Sequence, residues 1–330
     1  MNSIVSPTSV TCPVCNSVCE DLPLYHYTAK QAAAHFCPIT RDADRYQRLE
    51  ASIKKLWQGD ECSILRCNEC GFAFGYPFVG GDEEFYGILH EQKGYPVWRW
   101  DYDVAINQAL NPTGGGKILD IGAGVGMFLS SLGKEWERYA VEGSESTRKV
   151  LEASGIKVFR DLSTSADKEA GTFQVITMFQ VLEHIAEFHE VIAQCRKLLS
   201  VGGKLVISVP DGEAMIRQDR LTGCPDMPPN HINKFTADSL SRVLKDAGFE
   251  TTPAIFEPSS WFNFKGALHL RVIADSTKPH SIAAQVYRVP NKLLRTPLIA
   301  GLGVLAMLKM LPYFGQLSKG GAFTIVGIAK

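Results

Sequence analysis

The chain has 330 residues, 45% hydrophobic and 21% charged, with a formal net charge of -1. Such values describe a folded protein of one large or two smaller domains, and they exclude a disordered chain or one built as a whole for nucleic acid. The start, MNSIVSPTSVTC, lacks a basic segment and an apolar run, so no signal peptide is expected; nine cysteines then read as thiols or metal ligands in a cytoplasmic protein.

In chain order, Cys12-Pro-Val-Cys15 and Cys67-Asn-Glu-Cys70-Gly71 come first as two C-x-x-C knuckles. Each places two thiolates on one side of a tight turn, and together they offer four ligands for a tetrahedral, structural zinc. The 51 residues between the pairs exceed the usual spacing, so the knuckles must meet in space. Cys19, Cys37 and Cys62 are alternative ligands, and a redox pair or free thiols remain open. Between the knuckles, Ala29 to His35 and Arg45 to Trp57 are predicted helices, the second with Leu49, Ile53, Leu56 and Trp57 on its apolar positions. They fit either a cover over the substrate side of the next domain or padding for the zinc module. An irregular aromatic stretch follows, Phe72 to Trp100. Its Phe85, Tyr86, Tyr95, Trp98 and Trp100 suit a pocket rim or packing between modules, and it leads into a helix from about Tyr102 to Leu110.

The rest of the chain is organised around Ile118 to Leu129, ILDIGAGVGMFL. An apolar strand ends at Asp120, and Gly122, Gly124 and Gly126 then form a turn before a helix. Bare backbone at such a turn lets a cofactor approach closely. The spacing D-x-G-x-G-x-G is not the dinucleotide pattern, which counts against a nicotinamide-dependent oxidoreductase. An acid before the first glycine suits a cofactor carrying an ammonium group, such as the methionine end of S-adenosylmethionine. Tyr139 to Val141 is a second strand, and Glu142 at its end, 22 residues after Asp120, is placed to accept from a ribose diol. A helix Glu145 to Ala153, a strand Lys157 to Arg160 and Asp161 follow. Gln174 to Met178 is the fourth strand, with Phe179-Gln180-Val181-Leu182-Glu183-His184 at its edge. A helix from Ile185 to Leu199 then stops at Gly202-Gly203, before a fifth strand, Lys204 to Val209. Asp120, Glu142, Asp161, Gln180 and Asp211 all fall at carboxyl ends of strands, where open α/β sheets bind ligands.

The stretches ILDIGAGVGMFL, AVEGSE, FQVLEH, RKLLSVGG, PPNHINKFTADSL and KDAGF resemble class I S-adenosylmethionine-dependent methyltransferases, in the subgroup with V-L-E-H after strand four. The resemblance covers about Trp100 to Phe256 plus the last strand. It implies a Rossmann-like α/β fold with a seven-stranded sheet. It also implies that Asp120 with Gly122, Gly124 and Gly126 holds the methionine part, Glu142 the ribose and Asp161 the adenine, with Phe179 and Gln180 flanking the cofactor. The cysteine pairs resemble the zinc-binding heads of some sugar and natural-product methyltransferases.

Transfer to a hydroxyl needs a base, and His184 and His231 are the candidates, since histidine titrates near neutrality. Structural roles for both stay open: a helix cap or core contact for His184, a loop bond for His231. Some relatives hold a divalent metal through E-x-x-E-H and a later histidine. Here Gln180 stands where the first glutamate would be, leaving Glu183, His184 and His231 with one anion fewer, so metal-independent transfer is expected.

Thr236 to Ala247 is a predicted amphipathic helix, followed by a sixth strand near Thr252 to Glu257 and a last strand, Ala322 to Ala329. The insertion between them carries eight Lys or Arg and one acid, Asp275. Its stretch 293–314 includes an uncharged run from Pro297 to Leu308, and fits lying in a membrane surface, a lid or an oligomer contact. The expected division is a zinc module over 1–80, a methyltransferase core over 81–258 and 321–330, and a helical insertion over 259–320. The expected activity is methyl transfer to a small-molecule or glycan acceptor, first a sugar hydroxyl, second a quinone-type phenol, with C-methylation of a nucleotide sugar also open. The contrary reading is a non-catalytic cofactor-binding module. The expected place is the cytoplasm or the inner face of a membrane.

Overall fold

The computed structural model describes residues 10–19, 23–39, 41–91, 97–163, 169–278 and 280–330. The chain forms two compact units: one of residues 1–93, 212–234 and 258–321, the other of 94–211, 235–257 and 322–330. This division differs from the expected one. The segment 212–234 groups with the N-terminal module, and so does the helical insertion.

The second unit is built on one twisted sheet. Its strands are β1 (Gly116–Ile121), β2 (Trp136–Val141), β3 (Lys157–Phe159), β4 (Phe173–Phe179), β5 (Leu199–Pro210), β6 (Phe249–Thr251), β7 (Ile255–Phe256) and β8 (Ala322–Ala329). The order is β6-β8-β5-β4-β1-β2-β3, with β7 also on β8. Strands β1 to β5 pair in parallel and β8 runs antiparallel to β5. Because β6 and β7 share one neighbour, the sheet has seven positions, as the resemblance implies. The single sixth strand expected near Thr252 to Glu257 is instead these two short pieces. Continuous apolar runs in β1 and β4 are buried on both faces, as parallel strands between helices must be. The core includes Ile118, Phe128, Leu129, Ala140, Leu151, Val175 and Val206.

Helix α1 (Trp100–Ala105) starts two residues before the expected point and widens into a π turn over Ile106–Leu110. Helices α2 (Met127–Ser130), α3 (Glu145–Ala153), α4 (Phe188–Leu198) and α5 (Ala237–Asp246) follow. Gly202 and Gly203 do not stop α4. The helix ends at Leu198, β5 begins at once, and the glycines occupy a register shift between Leu199 and Lys204.

In the first unit, strands Tyr25–Thr28, Glu61–Arg66, Ala73–Tyr76 and Asn233–Lys234 form an antiparallel sheet. The helices Ala29–Phe36 and Ala43–Trp57 lie where expected. They pack with helix Glu83–Leu89 around Ala29, Ala33, Leu49, Ile53, Trp57, Phe85 and Met227. Arg45, 4% exposed, donates to the carbonyls of Ile88 and Leu89, closing the C-terminus of that third helix with a cation. The insertion contributes helices Trp261–Ser276, Ile282–Tyr287 and Lys292–Met310, the last continuing through Pro297.

Candidate functional site

The strand order reverses between β4 and β1, so the space beyond their carboxyl ends is the switch point where open α/β sheets take ligands. The glycine loop leaves β1 at this point. Gly122, Gly124 and Gly126 have φ of +74°, +52° and +75°, in the left-handed region where a Cβ is strained. Their surroundings differ. A Cβ on Gly122 would meet Val181 Cγ2 at 2.6 Å and one on Gly126 would meet Leu151 Cδ2 at 2.5 Å, whereas one on Gly124 would have nothing within 4 Å. Gly122 and Gly126 therefore serve packing, and Gly124 leaves a bare cradle that fits a ligand lying on backbone.

Asp120 is 3% exposed and accepts from Thr177 Oγ1 at 2.7 Å. Burial pushes its carboxyl up to about 7, against the Thr177 bond, which lowers it. A cation brought near it would favour the ionised form. Glu142 is half-buried at the end of β2, accepting from Gly124 N–H at 3.1 Å and Ser144 N–H at 2.9 Å. Its carboxylate thus ties the loop to the start of α3, at the edge where the sequence places a diol acceptor. Asp161 is exposed and accepts from Ser163 Oγ at 2.7 Å.

Phe179 closes β4, its ring 4.8 Å from Tyr102 and 4.9 Å from Phe128. Gln180 has φ +58°, an uncommon conformation for a non-glycine residue, anchored by its N–H on Ser208 O at 2.8 Å and its Nε2 on Ser208 Oγ at 3.2 Å. Glu183 is fully buried, and His184, in the same turn over Leu182–His184, sits with Nε2 3.8 Å from Glu183 Oε1. Of the aromatic rim, Trp98 packs on Tyr102 at 5.2 Å, Phe85 is core in the first unit, and Tyr95 lies outside the described residues. The sequence reading missed Arg99 and Asp101 beside these groups. Asp101 is fully buried and takes Arg99 in a bond of 2.6 Å, while Arg99 lies 5.8 Å over the Tyr102 ring. Their spacing, two apart at a helix start, gave no pattern to find.

His231 belongs to the first unit. Its Nδ1 is 2.6 Å from Asp226 Oδ1, with both side chains largely buried. Burial pushes the Asp226 carboxyl up, but His231 and Lys234 outweigh it and hold it well below the usual carboxylate range. The Asp226 carboxylate meets Nδ1 as an ion-pair contact and holds the ring in place. Asp226, in C-P-D-M-P-P-N-H, is a second residue the sequence reading missed. Nearby in the same unit, Tyr27 donates to Asp219 at 2.5 Å.

The four expected cysteines meet. The ligand atoms of Cys12, Cys15, Cys67 and Cys70 lie within 4.8 Å of one another, with Cys12–Cys70 at 3.6 Å and Cys15–Cys67 at 3.4 Å. Tetrahedral zinc with bonds of about 2.3 Å needs sulfurs about 3.8 Å apart, so the set fits. Both knuckles turn alike. Asn16 (φ +62°) and Gly71 (φ +72°) follow the second cysteine in left-handed conformation, and their N–H groups return to Cys12 O and Cys67 O at 2.9 Å. Short antiparallel pairs, Val10–Thr11 with Val18–Cys19 and Glu61–Arg66 with Ala73–Tyr76, carry the knuckles. The bond to Cys70 lowers the Cys12 thiol to about 5. Cys62 and Cys37 instead sit in the apolar core of the helices, and burial pushes Cys62 up to about 12, which makes them poor substitutes. Cys19, also pushed up to about 12 by burial, adjoins the cluster.

A methyltransferase-domain family profile matches residues 101–254. A protein of Thiobacillus denitrificans named ubiquinone biosynthesis O-methyltransferase is 28% identical over 155 residues, covering 42% of this chain and 67% of that protein. One of the same name from Methylococcus capsulatus is 31% identical over 158 residues, covering 43% and 67%. Against the Erwinia tasmaniensis protein of that name the match, 30% identical over 113 residues, covers 31% of this chain and 46% of the relative, less than half its length. Among solved structures, a SAM-dependent methyltransferase from Archaeoglobus fulgidus aligns with 69% of this chain and 94% of its own, at 15% identity and a TM-score of 0.42, too low to add to the strand order.

Proposed function

This chain belongs to the S-adenosylmethionine-dependent methyltransferases, and from that premise we propose that it methylates a hydroxyl group of a small molecule, first among them a quinone-type phenol. The observation carrying the acceptor is the kinship with proteins named ubiquinone biosynthesis O-methyltransferases; none of the relatives named above points to the sugar that sequence alone put first. When bound, S-adenosylmethionine supplies an electrophilic methyl group.

The chain's own part is binding, alignment and proton removal. Gly124 offers the bare backbone on which the cofactor lies. Asp120, beneath the loop, presents negative charge to the cofactor's ammonium group. Glu142 accepts from the ribose hydroxyls, exchanging its bond to Gly124 N–H for them. Asp161 is exposed at the third strand end, where it accepts from the adenine amino group. Phe179, with Tyr102 and Phe128 behind it, gives an apolar wall that excludes water, and Gln180 is held beside it. His231, oriented by Asp226, is the better general base of the two histidines, because a carboxylate at 2.6 Å stabilises the imidazolium it becomes. His184 and Glu183 shape the turn after β4. Cys12, Cys15, Cys67 and Cys70 hold a structural zinc with no position left for water.

A sugar hydroxyl is the second reading. The observation favouring it is the set of polar groups in the first unit, Tyr27, Asp219, Asp226 and His231, which is richer than a phenol ring requires. The test is transfer of labelled methyl from S-adenosylmethionine by the full chain to catechol-type phenols and to a panel of nucleotide sugars. Label in the phenol supports the first reading, and label confined to a sugar replaces it with the second. No binding of S-adenosylhomocysteine and no label anywhere overturns the activity.

A further inference from the structure

The insertion leaves an apolar surface on the first unit that the proposed chemistry does not use. Helix Lys292–Met310 buries Ala306 and Met310 against Phe264, Ala267, Leu268 and Val272 of helix Trp261–Ser276. Its other side is bare, with Leu293 85% and Leu308 64% exposed. At about 100° per residue, Leu293, Leu294, Leu298, Val304, Leu305 and Leu308 fall within an arc of about 140°, with Lys309 about 20° and Arg295 about 60° beyond one edge. Within the run Lys292–Leu317 an 18-residue window has a mean hydropathy of 1.7, and 11% of that window is buried. Trp261 and Phe262 are also exposed, and Trp261 packs on Phe314 at 5.9 Å.

Charge identifies the occupant. Residues 259–320 hold eight basic groups and one acid, a net of +7 against -1 for the whole chain, so the remainder carries -8. The one acid, Asp275, is engaged by Arg271 at 3.1 Å and Lys278 at 2.9 Å. An apolar arc with Lys309 and Arg295 along one side, neither in an ion pair among the described residues, fits anionic lipid, whose headgroups meet the cations while acyl chains take the leucines. A second copy meeting this face with the same face, as in a two-fold dimer, would set the same cations against each other. Spanning would strip the helix from Phe264 and Leu268 and draw Lys309 into hydrocarbon.

We propose that helix Lys292–Met310, with Trp261 and Phe262, seats this chain in the plane of an anionic bilayer surface, its leucine arc among the lipid chains. The surface belongs to the first unit and the cofactor loop to the second. Only one consequence, access to an acceptor dissolved in lipid, rests on the phenol reading.

The test is sedimentation of the full chain with phosphatidylcholine vesicles, with and without a third of the lipid as phosphatidylglycerol, together with sedimentation velocity of the lipid-free protein. Pelleting with the mixed vesicles and little with the neutral ones is expected, and carbonate should release the protein. Arg295→Ser with Lys309→Ser should weaken binding about fivefold per charge, about 25-fold together. Leu294→Ser with Leu298→Ser and Leu305→Ser should abolish it, while circular dichroism and affinity for S-adenosylhomocysteine stay at wild-type values because these side chains are exposed. No pelleting, equal pelleting with neutral vesicles, resistance to carbonate, or a dimer that the leucine variant dissolves would each overturn the proposal. None of these readouts involves methyl transfer, so a failure here leaves the activity standing and the reverse also holds.

Discussion

Two glycines of one loop separate folding from binding. Gly122 and Gly124 are two residues apart, both in left-handed conformation, and an added methyl meets opposite surroundings at each. Gly122→Ala places a Cβ 2.6 Å from Val181 Cγ2, so it incurs about 1 to 2 kcal/mol of backbone strain plus about 1 to 3 kcal/mol of overpacking. Gly124→Ala incurs the backbone strain alone, about 1 kcal/mol, because its Cβ faces open space and its N–H to Glu142 is kept. If the cofactor lies in that space, the same methyl should weaken binding at least tenfold, about 1.4 kcal/mol. Urea denaturation of the ligand-free variants reads the first quantity, and calorimetric titration with S-adenosylhomocysteine reads the second. Gly122→Ala should be the less stable by about 1 to 3 kcal/mol, and Gly124→Ala the poorer binder for its stability. Wild-type affinity in Gly124→Ala would refute the reading of the loop as a cofactor cradle. Equal stability of the two variants would show that Val181 moves aside and that the packing argument is wrong.

Three further outcomes are expected. Asp120 has its carboxyl raised to about 7 from 3.8, so the folded state prefers the protonated form; the stability it adds is full below the unfolded value and is lost as pH rises through 7. Wild type should therefore lose on the order of 2 to 3 kcal/mol between pH 5 and 7 relative to Asp120→Asn, and cofactor binding near pH 6 should release a proton, seen as a buffer-dependent binding enthalpy; a parallel pH profile for the two proteins would contradict it. His231→Asn should lower kcat by about 100-fold or more with KM little changed, and Asp226→Asn should shift the pH profile of kcat while leaving cofactor affinity intact; an unchanged kcat in His231→Asn removes the histidine from the chemistry. Elemental analysis should find one zinc per chain, and Cys67→Ser should lose it together with cooperative unfolding of the first unit, whereas Cys62→Ser should keep it; a zinc-free, folded wild type would dismiss the metal.

Much of the second unit was legible from local pattern. The apolar runs of β1 and β4 announced buried parallel strands, and the helix Glu145–Ala153 and strand Ala322–Ala329 fall where periodicity put them. These signals are short in range, since a buried strand or a capped helix carries its own hydrophobic period. Gly202 and Gly203 show the limit. Glycine marks a break in either element, and only pairing with Phe173 and Val175 decides that the break is a strand irregularity.

By itself the sequence determined the glycine loop, the acids at the strand ends and the two cysteine pairs, because spacing within a turn dictates which side chains share an edge. Only the tertiary structure decided which of them act together. The two knuckles, 51 residues apart, meet because separate strand pairs bring them in. His231 gains Asp226 through the fold of a loop whose prolines hide any periodic signal. Gly124 differs from Gly122 only in what faces it. Contacts distant along the chain depend on packing geometry, and no local pattern encodes them.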